Sequence, residues 1–154
     1  MARELGRTLA RTARVILIAV DAKRAADANR LGFSDLVAGD ASFVEVIQRE
    51  PGSRLHFVPA GMLGPSFLES EPQAVDIAFE AFDRTYDWVI CVMRDHGEAG
   101  LMGFLASRVD AVVVAADDAA SEAAADLYER ARSAGASDVV VTGREEPPEL
   151  REVA

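Results

Sequence analysis

The stretch RVILIAVDAKR, residues 14–24, decides how this chain folds. It is a short apolar run that ends at Asp21 and is followed by two bases, Lys23 and Arg24. An apolar run that follows a helix and ends in a polar turn is typical of a buried parallel strand. Open α/β sheets bind ligands just beyond the carboxyl ends of such strands. The sequence therefore places a candidate ligand site at the end of this strand.

The composition fits one globular domain of 154 residues, which is long enough to bury a substantial core. A net charge of -10 argues against a nucleic-acid-binding module and against general adhesion to an anionic membrane. No apolar run approaches the ~20 residues that span a bilayer, and the N-terminus lacks a signal sequence. We therefore expect a cytoplasmic protein that binds no nucleic acid and does not insert directly into a membrane.

The order of apolar and polar segments predicts alternating strands and helices. Strands are expected at 15–20, 55–59, 87–93, 111–116 and 138–142, with the third buried on both sides. Helices are expected at 2–13, 34–38, from Ser42 to before Pro51, from Ser70 onward, near 101–107 and from Asp118 to Ser133. Ser34, Ser42, Ser70 and Asp118 are the predicted N-caps, residues 60–69 are a predicted loop, and Gly39 and Gly135 are predicted helix stops. This alternation implies a parallel sheet with helices on both faces.

Several segments in this order match a known pattern. They are the apolar triplet 16–18 followed by Asp21 and the two bases, GFSDLVAG at 32–39, VEVI at 44–47, LHFVPAG at 55–61, YDWVI at 86–90 and residues 109–116. Together they resemble the cytoplasmic kinase domain of bacterial polysaccharide co-polymerases, the tyrosine autokinases of capsule and exopolysaccharide export. The resemblance implies a three-layer α/β fold of P-loop NTPase type over residues 1–143. Residues 144–154 would then be an acidic, proline-containing tail.

The nucleotide-binding elements of that family are missing or replaced in this sequence. The motif G-x-x-x-x-G-K-[ST], which holds the phosphates, does not occur. Ala19 stands where the family has the first aspartate of an Asp-x-Asp pair, and Val92 stands where it has a magnesium-binding aspartate. Valine offers no oxygen ligand to magnesium. The tail also lacks the tyrosine cluster that the family autophosphorylates.

We therefore predict a non-catalytic, pseudokinase-like module of exopolysaccharide or capsule synthesis and export. No catalytic residue, metal site or cofactor is expected, and the partner would be a membrane-bound chain-length or export protein at the inner membrane face. Asp21, Lys23 and Arg24 would be the remnant of the nucleotide site; they fit a solvated turn or a residual anion or subunit contact. The alternative is an ATP- and Mg²⁺-dependent tyrosine autokinase, truncated or completed by another chain. A third interpretation is a partition-type regulator unrelated to polysaccharide.

The resemblance also has a consequence for the sheet. In the family, a further strand precedes the phosphate-binding loop, and this sequence has no counterpart of it. We therefore expect either a rearranged sheet or an exposed strand edge that pairs with another protomer, which also favours a homo-oligomer.

Three other groups of residues are candidates for function. Arg3, Arg7 and Arg11 recur on one face of the first predicted helix, as a solvated face or as a contact for an acidic partner. The loop Arg94–His96 has the residue types of an acid/base trio, but no nucleophile lies beside it. Cys91 lies in the middle of a predicted strand, where a buried and inert thiol is expected. One cysteine and two histidines cannot supply the usual ligands of zinc.

Overall fold

The computed structural model describes residues 1–21, 29–93 and 99–143. The chain forms two compact units, the first from Met1 to Leu101 and the second beginning at Met102. No helix within the described ranges is long and apolar enough to cross a membrane. Lys23, Arg24, the loop Arg94–His96 and the tail at 144–154 lie outside the described residues, so the interpretations given to them stay predictions.

The first unit is built on a four-stranded sheet of order β2-β3-β1-β4. Its strands are β1 (Val15–Ala19), β2 (Gln48–Arg49), β3 (His56–Val58) and β4 (Trp88–Val92). β1 is parallel to β3 and to β4, which confirms the parallel arrangement expected from the apolar runs. β2 is antiparallel to β3, and the sequence did not predict it. The turn at Gly52, with a φ of 75°, reverses the chain so that Gln48 and Arg49 of β2 lie alongside β3.

β1 lies at the centre of this sheet because its residues are apolar on both faces. Ile16 and Ile18 are completely buried, and Leu17 between them is only 6% exposed. Successive side chains of a strand point to opposite faces, so both faces of β1 are covered. Helix α1 (Ala2–Leu9) packs on β1 and β4, and Leu55 joins Leu17 in the apolar cluster beneath it. The central role predicted for this strand is confirmed.

Apart from the helix Pro65–Ser70, which the sequence did not predict, the remaining helices begin close to their predicted positions. They are α2 (Phe33–Ala38), α3 (Phe43–Val46), α4 (Pro65–Ser70), α5 (Pro72–Thr85) and α6 (Ala99–Ala106), which begins in the first unit and ends in the second. The predicted apolar face of α5 is confirmed, since Val75, Ala78 and Phe82 are all buried. Phe79 of the same helix stacks on Phe33 of α2, with the ring centroids 5.4 Å apart. This stack joins α2 to α5.

Several predicted helix ends are corrected by the structure. The N-cap of α2 is Gly32 rather than Ser34, because Ser34 already lies inside the helix. Residues 65–70 form α4 instead of a loop, since Pro65 occupies the first helical position, where the missing N–H of proline costs nothing. Ser70 does not cap α5; it ends α4, and its hydroxyl donates to the carbonyl of Phe67 at 2.7 Å.

Two predicted ends are confirmed. The backbone N–H of Ser42 donates to the carboxylate of Glu45 at 2.8 Å, as the capping pattern at the start of α3 indicates. Gly39 ends α2 in the left-handed conformation, with a φ of 81°.

The second unit contains one parallel strand pair and one long helix. The strands are β5 (Ala111–Ala115) and β6 (Asp138–Thr142), and α7 (Glu122–Ser133) packs on both. The predicted last strand is confirmed, as is the predicted pairing of Asp126 with Arg130, whose charged atoms are 3.6 Å apart. Gly135 follows the helix with a φ of 97°, as predicted for its stop.

The N-cap of α7 is corrected from Asp118 to Ser121. The hydroxyl of Ser121 accepts a hydrogen bond from the backbone N–H of Ala124 at 3.2 Å. The carboxylate of Asp118 accepts from the N–H of Ala120 at 2.9 Å instead, so it stabilises the turn that precedes the helix.

β4 is not buried on both sides, contrary to the prediction. It is the last strand of its sheet, and among the described residues it pairs in that sheet only with β1. Trp88 at its start is 52% exposed, and the four residues after it are half-buried. β4 is thus the last strand of the sheet in the first unit, and the pairing of a strand edge with another protomer stays a prediction.

Candidate functional site

The carboxyl ends of β1, β3 and β4 lie together at one edge of the first sheet, because the three strands are parallel. The register pairs Ala19, the last residue of β1, directly with Val92, the last residue of β4. Neighbouring strands lie about 4.8 Å apart, so these two positions are adjacent. They are the two positions where the family pattern has aspartates. This edge therefore presents two small apolar side chains at the positions where the resemblance leads us to expect carboxylates.

The remnant of the predicted site is only partly described. Asp21 follows the buried Val20 at the end of β1 and is itself half-buried. Asp21 thus lies at the carboxyl end of β1, and its role as a remnant of a nucleotide site stays a prediction. Within the described ranges, no group of three histidine, cysteine, aspartate or glutamate side chains is placed to hold a metal ion.

The loop after β3 is held against α2 by a network that sequence reasoning missed. The backbone N–H of Phe33 donates to the carbonyl of Pro59 at 2.8 Å, and that of Ser34 donates to Ala60 at 2.9 Å. These bonds join the two segments that most specifically resemble the kinase family, residues 32–39 and 55–61. The sequence gives no sign that the two segments meet in space.

Asp35 completes this network from a buried position. One oxygen of its carboxylate accepts from the N–H of Gly32 at 2.8 Å and from the N–H of Met62 at 3.1 Å. The hydroxyl of Ser34 accepts from the N–H of Leu63 at 3.1 Å. Ser34 and Asp35 are only 1% and 4% exposed, so both are occupied with backbone donors. The sequence contains one sign of this network. Asp35 lies three residues after Gly32, at the spacing of a helix cap.

Two glycines allow this close approach. A Cβ atom on Gly32 would collide with the backbone of Pro59 and Gly61. Gly61 has a φ of 96°, and a Cβ atom there would lie 2.6 Å from the Asp35 carboxylate and even closer to the Ser34 hydroxyl. Both positions therefore require glycine for backbone reasons.

Tyr86, Tyr128 and Cys91 are all buried or half-buried, as expected of residues that pack in the fold. Tyr86 is buried, its hydroxyl is 2.8 Å from Nδ1 of His56, and burial raises the pKa of the phenol. Tyr128 is half-buried on α7. Cys91 is half-buried in β4, and desolvation raises the pKa of its thiol to about 12, so the reactive thiolate is scarce at neutral pH. The raised pKa fits the inert thiol that the sequence predicts, although Cys91 is half-buried rather than buried.

The three arginines predicted to share one helix face, Arg3, Arg7 and Arg11, differ in their contacts. Arg7 binds the buried Glu50 with two hydrogen bonds of 2.9 and 2.8 Å, and Arg3 approaches the same carboxylate at 3.9 Å. The guanidinium of Arg3 also lies over the ring of Phe57, 5.4 Å from its centroid. The hydrogen bond from Arg7 holds the pKa of Glu50 below its usual value. Two of the three arginines therefore stabilise the fold, and Arg11 is left facing solvent.

No protein-family model and no curated protein matches this sequence. Among solved structures, the chain is similar to the kinase domain of VpsO, with a TM-score of 0.77 and 17% identity over 93% of this chain and 76% of that one. It is similar to the kinase domain of the Escherichia coli tyrosine kinase Etk, with a TM-score of 0.76 and 18% identity over 92% of this chain and 60% of that one. It is also similar to the BceF tyrosine kinase domain, with a TM-score of 0.69 and 22% identity over 92% of this chain and 62% of that one.

These likenesses confirm the fold predicted from the sequence, an α/β fold of P-loop NTPase type shared with bacterial tyrosine kinase domains. The chain spans less than two thirds of the Etk and BceF domains that it matches. At these identities the comparisons establish the fold, and activity and partners are matters for proposal.

Replacing Gly61 with alanine tests the contact between α2 and the loop after β3. We expect Gly61→Ala to lower the free energy of unfolding by about 3 kcal/mol or more, because backbone strain adds to the collision with Ser34 and Asp35. Gly39→Ala is the matched control, since Gly39 also has a positive φ but nothing lies within 4 Å of its added Cβ. Its expected cost is about 1–2 kcal/mol. Urea unfolding measures both, and equal losses would contradict the close contact.

Replacing Glu50 with glutamine tests the buried ion pair. The folded-state pKa of Glu50 is lowered, so its stabilisation is complete above the unfolded value of 4.5 and is lost as the pH falls through the folded value. We expect Glu50→Gln to lower the free energy of unfolding at pH 7 and to weaken its dependence on pH below about 4.5. Glu80→Gln, at an exposed carboxylate, should change neither. An unchanged acid dependence in Glu50→Gln would contradict this role.

Proposed function

We propose that this chain is a non-catalytic module of a bacterial exopolysaccharide or capsule synthesis and export system and that it acts through protein contact. In this proposal a membrane-bound chain-length or export protein recruits it to the inner membrane face. The likeness to kinase domains of this kind supports the setting, and the sequence at the nucleotide-binding edge supports the loss of catalysis.

The pairing of Ala19 with Val92 is the observation on which the loss of catalysis chiefly depends. Phosphoryl transfer requires positioned charges, namely a phosphate-binding loop with its lysine and carboxylates that hold the metal. The resemblance puts methyl and isopropyl groups, those of Ala19 and Val92, at two of those carboxylate positions. Removing one electrostatic element typically lowers a rate by ~10²–10³, so the loss of both carboxylates would leave little catalysis.

The edge at β4 supports a role in protein contact. Its sequence, WVICV, is the continuous apolar run typical of a strand inside a parallel sheet, yet β4 ends its sheet. It has none of the lysines or prolines that usually protect edges. An extended segment of a partner could add to it by backbone hydrogen bonding.

Calorimetric titration with ATP and Mg²⁺ tests the loss of nucleotide binding. We expect no binding tighter than about 1 mM, which corresponds to less than about 4 kcal/mol of binding free energy. The Etk kinase domain, measured under the same conditions, is the positive control. Micromolar binding by this chain would contradict the proposal and favour the alternative, an ATP-dependent tyrosine autokinase whose remaining elements come from another segment or chain.

A further inference from the structure

An open groove lies between α1 and the turn that joins β2 to β3 in the first unit. Arg7 of α1 and Arg11, just after the end of α1, line one side, and Arg49 and Arg54 line the other, with Pro51 and Gly52 between them. The turn is ordered by its own hydrogen bonds, including one from the N–H of Glu50 to the carbonyl of Leu55 at 2.9 Å. The groove is therefore built from residues in defined positions.

The groove is strongly basic although the chain is acidic. Its one lining carboxylate, Glu50, is already bound by Arg7 through two hydrogen bonds. Arg11, Arg49 and Arg54 are exposed, and their side chains form no hydrogen bond or ion pair with any residue in the described part of the chain. Three unneutralised guanidinium groups therefore face one groove in a protein with a net charge of -10.

Such a local excess of charge is felt only at short range. Surface charges are screened over about 8 Å at physiological salt, so a ligand within the groove experiences the arginines more than the distant acidic residues. A large polyanion such as DNA, or an anionic membrane, would extend beyond the groove and meet the acidic remainder of the surface. A short acidic segment avoids that repulsion.

We propose that this groove binds an acidic polypeptide segment of a partner protein through Arg11, Arg49 and Arg54. All three bases are arginines, whose planar guanidinium groups bind carboxylates through two parallel hydrogen bonds, as Arg7 binds Glu50 here. The Arg7–Glu50 pair holds α1 against the turn and so fixes the spacing of the two basic walls. The proposal does not depend on whether the chain binds nucleotide.

The test uses a fluorescently labelled hexaglutamate peptide, with hexaglutamine as the neutral probe, and measures anisotropy with the full chain. We expect the glutamate peptide to bind and the glutamine peptide not to bind. Binding should weaken as the salt concentration rises from about 50 mM to about 500 mM, because the contacts are exposed. Absence of glutamate binding at protein concentrations up to about 1 mM at low salt would overturn the proposal.

Paired double variants separate the groove from the overall charge. Arg49→Gln/Arg54→Gln should weaken glutamate binding about tenfold, the sum of two exposed ion pairs. Arg84→Gln/Arg132→Gln changes the net charge equally on helices α5 and α7 and should alter binding less than about twofold. Equal losses in the two variants would overturn the proposal. Tighter binding of an oligonucleotide or of anionic lipid vesicles through Arg49 and Arg54 would replace the acidic peptide with that class of ligand.

Discussion

The buried hydrogen bonds between α2 and the end of β3 are the constraint on which the carboxyl-end edge of the first sheet depends. The Asp35 carboxylate binds two backbone N–H groups and is almost completely buried, so it cannot be replaced by an apolar residue without leaving donors unsatisfied. Gly32 and Gly61 permit the approach that these bonds need. Together they fix where the chain leaves β3, beside the central strand β1.

This constraint separates the residues that hold the fold together from those to which the proposal assigns a loss of catalysis. The segments that most resemble the kinase family, 32–39 and 55–61, form backbone contacts with each other. Ala19 and Val92 lie on neighbouring strands, where side chains at strand ends do not hold the sheet together. The proposed loss of catalysis is consistent with that division.

The sequence predicts the parts of the fold that local patterns determine. Apolar runs locate β1 and β3 to β6, and the apolar face of α5 follows from its helical spacing. The two-residue strand β2 is not predictable in this way, since it exists only through its pairing with β3. A Gly- and Pro-rich segment conceals α4, because Pro65 begins that helix instead of breaking it. The candidate site is likewise only partly predictable: the resemblance identifies Ala19 and Val92, but the sheet register is needed to show that they are adjacent. In the same way, the groove that Arg11 lines with Arg49 and Arg54 is formed only in the folded chain.

An NMR titration of the ¹⁵N-labelled chain with Mg²⁺-ATP tests the central claim most directly, because it reports on each backbone amide separately. The account predicts that the amides of Ala19, Val20, Asp21 and Val92 keep their chemical shifts through millimolar nucleotide. Shifts confined to the arginine groove would be compatible with it, since phosphate groups also bind guanidinium. Saturable shifts at the ends of β1 and β4 would show a working nucleotide site and contradict the account.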